Sequence, residues 1–273
     1  MTPGEPDRGR PQRRPTLAAL ALIAIAAASA TLLAPGSRSA GPSTDRCAVP
    51  ADLAALDAPL PRTAERLREG GPLTIVALGS SSTEGFGATR PARSYPSRLA
   101  ALLKARLPGI AVRVLNRGVG GEMAPQMLAR LERDVLAERP DLVIWQLGTN
   151  SVLHDHDPIG EIASAEQGIA RIRATGADVM LMDLQYAPRV LLHAGYREMQ
   201  HVLAAVAESD DVPLIRRFAM MRHWSEDGVM SLPAMLAPDR LHMSDASYDC
   251  LARQVAHSIL AARDVPVTLA AQR

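Results

Sequence analysis

Four short segments carry the residue types that nucleophilic acyl chemistry needs. Gly79-Ser80-Ser81-Ser82-Thr83-Glu84-Gly85 offers three adjacent hydroxyls between glycines. Asn116-Arg117-Gly118-Val119-Gly120-Gly121-Glu122 is rich in glycine, and Gly148-Thr149-Asn150-Ser151 carries a side-chain amide. Asp239-Arg240-Leu241-His242 sets a carboxylate three residues before an imidazole. A serine hydroxyl is a poor nucleophile until a base removes its proton. Histidine, which titrates intrinsically near neutrality, suits that role, and a carboxylate beside it can hold the ring tautomer and stabilise the imidazolium. The oxyanion that forms needs donors aimed at it in advance. Backbone N–H groups at glycines, which let the chain approach closely, and an asparagine amide can supply them. Each segment alone is weak, because Gly, Ser and Asn also end strands as turn residues. Together, in this order, they argue for one site. On residue type, Ser80, Ser81 and Ser82 all compete as nucleophile, and Gly118, Gly120 and Gly121 as donor.

The four segments resemble the sequence blocks of SGNH (GDSL-like) hydrolases, over residues 73–260. The first is similar to G-D-S-x-T-E-G, which implies Ser81 as nucleophile. The second resembles N-x-G-x-x-G, which implies the Gly121 N–H as an oxyanion donor alongside the Ser81 N–H. The third resembles G-x-N-D and implies the Asn150 amide as a third donor. The last resembles D-x-x-H, giving Asp239 and His242. Two positions depart from the pattern: Ser80 and Ser151 stand where aspartates are usual. Neither belongs to the triad, so the resemblance implies retained activity with altered local hydrogen bonding. It implies an esterase acting on short-chain acyl or O-acetyl esters, carried by a small molecule or a polysaccharide, without metal or other cofactor. An O-acyltransferase using the same triad, or a non-catalytic carbohydrate-binding protein on the same scaffold, are the alternatives.

The elements that must position these residues alternate along the chain. Short apolar runs at 73–78, 110–115, 142–147, 179–182 and 212–215 read as strands. Segments 95–107, 162–173 and 193–208, a stretch behind Pro125, and a last one from Ser244 read as helices. Alternation of this kind predicts parallel βαβ units joined by right-handed crossovers. The expected fold class is α/β: a three-layer α/β/α sandwich with a mainly parallel five-stranded sheet, the flavodoxin-like SGNH hydrolase fold. In such sheets, sites lie beyond the C-terminal ends of the strands, where all the first three segments fall.

The 273 residues are 47% hydrophobic and 22% charged, ordinary for a single globular domain of this size. A net charge of +1 gives no basic field for nucleic acid. Residues 1–15 hold four arginines, and 16–34 are uncharged and mostly Ala, Leu and Ile. That is the pattern of an export signal, with Ala28-Ser29-Ala30 as a cleavage site; an uncleaved membrane anchor is the other reading of 1–34. The expected location is therefore periplasmic or secreted, with membrane contact only through that segment. Residues 35–70 read as a linker and N-terminal extension, and 71–273 as the hydrolase domain. Export makes a Cys47–Cys250 disulfide the expected state of the only two cysteines. His154-Asp155-His156-Asp157 has the composition of a metal site, but its alternation suits a solvated loop better. His193, His201 and His257 fall in expected helices. Arg216-Arg217 and Arg222-His223-Trp224 are candidates to line the cleft, Trp224 alternatively to fill core. Met220, Met221, Met230, Met235 and Met243 read most simply as flexible packing, with the shaping of an acyl pocket as the alternative.

Overall fold

The computed structural model describes residues 46–264; the export-type segment, 35–45 and 265–273 lie outside the described residues. Five strands form one parallel sheet: β1 (Leu73–Gly79), β2 (Val112–Gly118), β3 (Leu142–Gln146), β4 (Asp178–Met182) and β5 (Leu214–Ile215). Their order is β2-β1-β3-β4-β5, the flavodoxin-like arrangement. β3 and β4 are buried along their whole length and β1 at all but one residue, as expected of strands covered on both faces. β2, at one edge, is only partly buried, and β5, at the other, is two residues long. A partly polar strand and a very short one are common ways to end a sheet.

The crossover from β1 to β2 runs across the sheet in the direction opposite to the later ones. With right-handed connections, its helix must lie on the other face. The helix contacts agree. Tyr95–Arg106 packs with Asp245–Ala261, whereas Pro158–Arg173 packs with Ala124–Ala129 and Tyr196–Ser209. The fold is thus the expected three-layer α/β/α sandwich.

Several boundaries differ from the sequence reading for local reasons. Pro158–Arg173 starts four residues early, because the Asp157 carboxylate caps it by accepting from the Ile159 N–H. His193 is not helical: it lies in the turn before Tyr196–Ser209, with its Nδ1 2.9 Å from an Asp155 carboxylate oxygen. Asp155 and Asp157 are thereby engaged in turn and cap contacts, while His201 and His257 are exposed on their helices. Helix Ser244-capped Asp245–Ala261 begins where expected.

Residues 46–70 are part of the body and not a linker. Helix Pro61–Glu69 buries Thr63, Ala64 and Leu67. The Arg62 and Thr63 N–H groups donate to the Asp178 carboxylate at the start of β4. Arg62 and Arg66 pair with Asp141, which also accepts from Thr74 N–H at the foot of β1. This helix therefore closes the N-terminal end of the sheet, opposite the expected site. Ahead of it, Cys47 is joined to Cys250 by a disulfide. A second unforeseen helix, Arg217–Glu226, buries Phe218, Met220, Met221 and Trp224. Trp224 fills core and donates from its indole to the Ala48 carbonyl. The other three singled-out methionines are buried too.

Candidate active site

β1 lies between β2 and β3, and Gly79 pairs with Gly118. The first segment is therefore flanked by the second on one side and the third on the other, at the point where strand order reverses. After Gly79 the chain turns at Ser80 and starts the single-turn helix Ser81–Glu84. Gly118 makes the approach of β2 to that turn sterically feasible. A Cβ there would fall 2.0 Å from the Glu84 backbone nitrogen, far inside van der Waals contact. Asn116 locks the two together: its amide donates to the Thr83 and Glu84 carbonyls, and its Oδ1 accepts from Gly118 N–H.

The structure resolves which serine faces the imidazole. Ser81 Oγ is 2.8 Å from His242 Nε2, and His242 Nδ1 is 2.5 Å from Asp239 Oδ2. Ser80 and Ser82 point into the protein and donate to Gln146 Oε1, each at 3.0 Å. Asp239 Oδ1 accepts from the backbone N–H groups of Leu241 and His242, both at 3.0 Å. Arg240, between them, sits at φ 57°, a left-handed conformation uncommon outside glycine. It lets a four-residue turn bring the carboxylate back to its own imidazole. Partial burial would raise the Asp239 pKa, but the His242 ring and the two backbone donors outweigh it, and the net shift is downward. The carboxylate is therefore ionised at neutral pH.

The donors are sorted in the same way. Gly118 N–H is taken by Asn116, and Gly120 N–H by the Glu84 carboxylate at 2.8 Å. Gly121, at φ 82°, has no partner for its N–H among the described residues, and neither does Ser81 at the start of its helix. Asn150 lies in the helix Thr149–Leu153, and its amide donates to the Glu122 carbonyl at 2.9 Å. One amide hydrogen is thus held by the neighbouring loop, and the other is free to donate elsewhere. Ser81, His242 and Asp239 thus form one hydrogen-bonded chain, and the candidate donors Gly121 and Asn150 lie on the segments that follow the two strands flanking β1.

Four residues support the site in roles the sequence did not reveal, three of them not singled out at all and Arg217 expected in the cleft. Gln146 ends the otherwise apolar β3, and its side-chain oxygen also accepts from Ser80 N–H and Thr83 Oγ1. A polar residue closing such a run was the signal for it. Arg217 is fully buried below the nucleophile turn, not in the cleft, and donates to Ser82 Oγ at 2.8 Å. Burial lowers its pKa, against the opposing charge of Asp183. Its neighbour Arg216 pairs with Asp57. Arg130 braces the second segment through Glu122, Asp134 and the Arg117 carbonyl. The fourth, Glu161, joins the helix that follows the second segment to the third segment.

Residues 46–264 match the non-GDSL lipase-like family, which covers most of the chain and all of the site. The chain belongs to the non-GDSL lipase-like family. Among its relatives, esterase TesA of Pseudomonas aeruginosa is 28% identical over 202 residues, 70% of this chain and 86% of that protein. Acetylxylan esterase of Geobacillus stearothermophilus is 34% identical over 87 residues, 31% of this chain and 39% of that one. The solved structure of TesA superposes with a TM-score of 0.57 at 26% identity, covering 69% of this chain and 99% of TesA. A two-domain esterase active on acetylated mannans superposes with a TM-score of 0.64 at 20% identity, covering 78% of this chain and 56% of that one. That similarity speaks for the fold. The resemblance to SGNH hydrolases read from four short segments therefore extends over the whole described body, and the family's relatives are carboxylic ester hydrolases.

Proposed function

We propose that this protein is an exported serine esterase that hydrolyses short-chain acyl esters, including O-acetyl groups on carbohydrate, through an acyl-enzyme on Ser81. The observation that carries the reading is the unbroken hydrogen-bonded chain from Ser81 through His242 to Asp239, beside unengaged Ser81 and Gly121 N–H groups. His242 Nε2 takes the Ser81 proton as Oγ bonds to the ester carbonyl carbon. The carbonyl oxygen becomes an oxyanion held by the Ser81 and Gly121 N–H groups and the Asn150 amide. As the intermediate collapses, the carbon–oxygen bond to the alcohol breaks and His242 returns its proton to the leaving alkoxide. Water, deprotonated by the same imidazole, then releases the acid. The similarity to an acetylxylan esterase supports a carbohydrate ester. The basic-then-apolar N-terminus and the disulfide support export.

The purified protein is expected to turn over p-nitrophenyl acetate, and a fluorophosphonate probe to label the Ser81 peptide in mass spectra. Absence of both turnover and labelling, or labelling of another residue, would overturn the reading.

Phe86 bears on the alcohol. It is 59% exposed, and its ring centroid lies 5.0 Å from that of His242. In this reading His242 protonates the leaving oxygen, and the exposed ring beside it is the contact offered to the alcohol. Phe86→Ala is expected to lower kcat/KM about 2- to 10-fold for aryl or pyranosyl acetates, the worth of one ring contact. Ethyl acetate should be hydrolysed at an unchanged rate. An equal loss on both substrates would place Phe86 outside the alcohol subsite.

A further inference from the structure

The buried carboxylate of Glu161 has no part in proton transfer, yet it touches both loops that supply the oxyanion donors. It extends from the first turn of Pro158–Arg173 and is 3% exposed. Oε2 accepts from Ala124 N–H at 3.0 Å and from Ser151 Oγ at 2.7 Å, and Oε1 accepts from Gly148 N–H at 2.8 Å. Gly148 and Ser151 bracket Asn150, and Ala124 lies three residues after Gly121. Ala124 opens one helix and Gly148 caps the start of another, where a negative charge is favoured. Asn150 in turn donates to the Glu122 carbonyl, which closes a ring of contacts around the donors. Ser151 stands where the family pattern has a carboxylate of its own, and its hydroxyl reaches Glu161 instead.

We infer that Glu161 is a positioning residue that sets the spacing between the Gly121 and Asn150 donors. It acts through backbone and hydroxyl groups of the two loops and does not touch the substrate. The spacing matters because donors must meet the oxyanion where it forms, and a displacement of about 1 Å can cost on the order of 100-fold in rate. The inference rests on the acyl-enzyme reading above.

Glu161→Gln keeps the shape but must turn an NH2 group towards either Gly148 N–H or Ala124 N–H, so one donor faces a donor. It is expected to lower kcat on p-nitrophenyl acetate by about 10- to 100-fold, with KM within roughly threefold. The rate of fluorophosphonate labelling at Ser81 should fall in parallel, because the phosphoryl oxygen enters the same hole. Labelling also separates the two readings, since it reports on the hole whether or not the ester is a good substrate. In combination with Asn150→Ala, Glu161→Gln should cost less than its effect alone, since the spacing between the two donors no longer counts once the Asn150 amide is gone. A purely structural role predicts multiplied losses together with a matching fall in thermal midpoint. If Glu161→Gln does not fold, Ser151→Ala removes one of the three bonds without disturbing the charge, and a few-fold loss in kcat and labelling rate is expected. Wild-type kcat and labelling rate in whichever variant folds, or multiplied losses in the double variant, would overturn the inference.

Discussion

Asp239→Asn is expected to lower kcat for an acetyl ester by about 10⁴-fold, with KM changed only a few-fold. The argument lies in how the carboxylate is held. Oδ1 accepts two backbone N–H groups, from Leu241 and His242, while Oδ2 faces His242 Nδ1. In the asparagine variant the carbonyl oxygen must stay at the Oδ1 position, because an NH2 there would meet two donors. The NH2 is then forced to face Nδ1 and donates to it. The ring must carry its proton on Nε2, pointing at Ser81, and it can no longer accept the hydroxyl proton. The fold need not change, because the turn through Arg240 keeps its backbone bonds. The lowered pKa of Asp239 means that the charge is present at neutral assay pH in the wild type and absent in the variant. Steady-state kinetics beside a thermal melt would test this. A variant retaining more than about a tenth of wild-type kcat at unchanged stability would show that Asp239 does not set the tautomer.

Much of this site was legible because its donors are local. The candidate nucleophile and donors, Ser81, Gly121 and Asn150, sit within a few residues of the ends of β1, β2 and β3, and the apolar runs of β1 and β3 mark two of those ends in sequence. The three-residue spacing of Asp239 and His242 needs only one turn. What stayed hidden depends on partners far apart in the chain. Glu161 meets Ala124 across 37 residues, and Arg217 meets Ser82 across 135. Neither partner is written in the local sequence: a glutamate in a first helical turn is ordinary on electrostatic grounds, and an arginine is an ordinary helix former. The choice among Ser80, Ser81 and Ser82 had the same limit. It depends on which hydroxyl the turn sends towards Gln146 and which towards His242, and in sequence only the resemblance to the G-D-S-x-T-E-G block singles out Ser81. The helix Pro61–Glu69 was missed because its buried stripe is short and its anchors, Asp141 and Asp178, lie on other elements. The two aspartates of the family pattern that this chain replaces with Ser80 and Ser151 are answered by such hidden partners. Gln146 gathers the hydroxyls around Ser80, and Glu161 reaches Ser151.

Removing the Cys47–Cys250 bridge should cost stability far more than activity. The bond closes a sequence separation of 203 residues. Loop-closure entropy for a ring of that size amounts to about 5 kcal/mol in the chain-entropy limit, with about 2–4 kcal/mol more usual. For a domain of this size each kcal/mol moves the midpoint by roughly 2–4 °C, so Cys47→Ser with Cys250→Ser should melt about 5–15 °C lower. Reducing the wild type should produce the same shift. The segment has further anchors. Gln254 donates to the Cys47 carbonyl, Trp224 to Ala48 and Ser258 to Ala54, while Asp57 takes Leu214 N–H and Arg216. With these in place the native ensemble keeps the strap docked at low temperature, and the bond acts mainly on the unfolded chain. The triad turn is held separately by its own backbone bonds. Activity at 20 °C should therefore stay within about twofold of wild type. An unchanged midpoint under reducing conditions would show that the bridge contributes nothing to stability. A large loss of activity well below the melt would show that the strap also holds the active site, through the helix Asp245–Ala261 that carries Cys250 and begins three residues after His242.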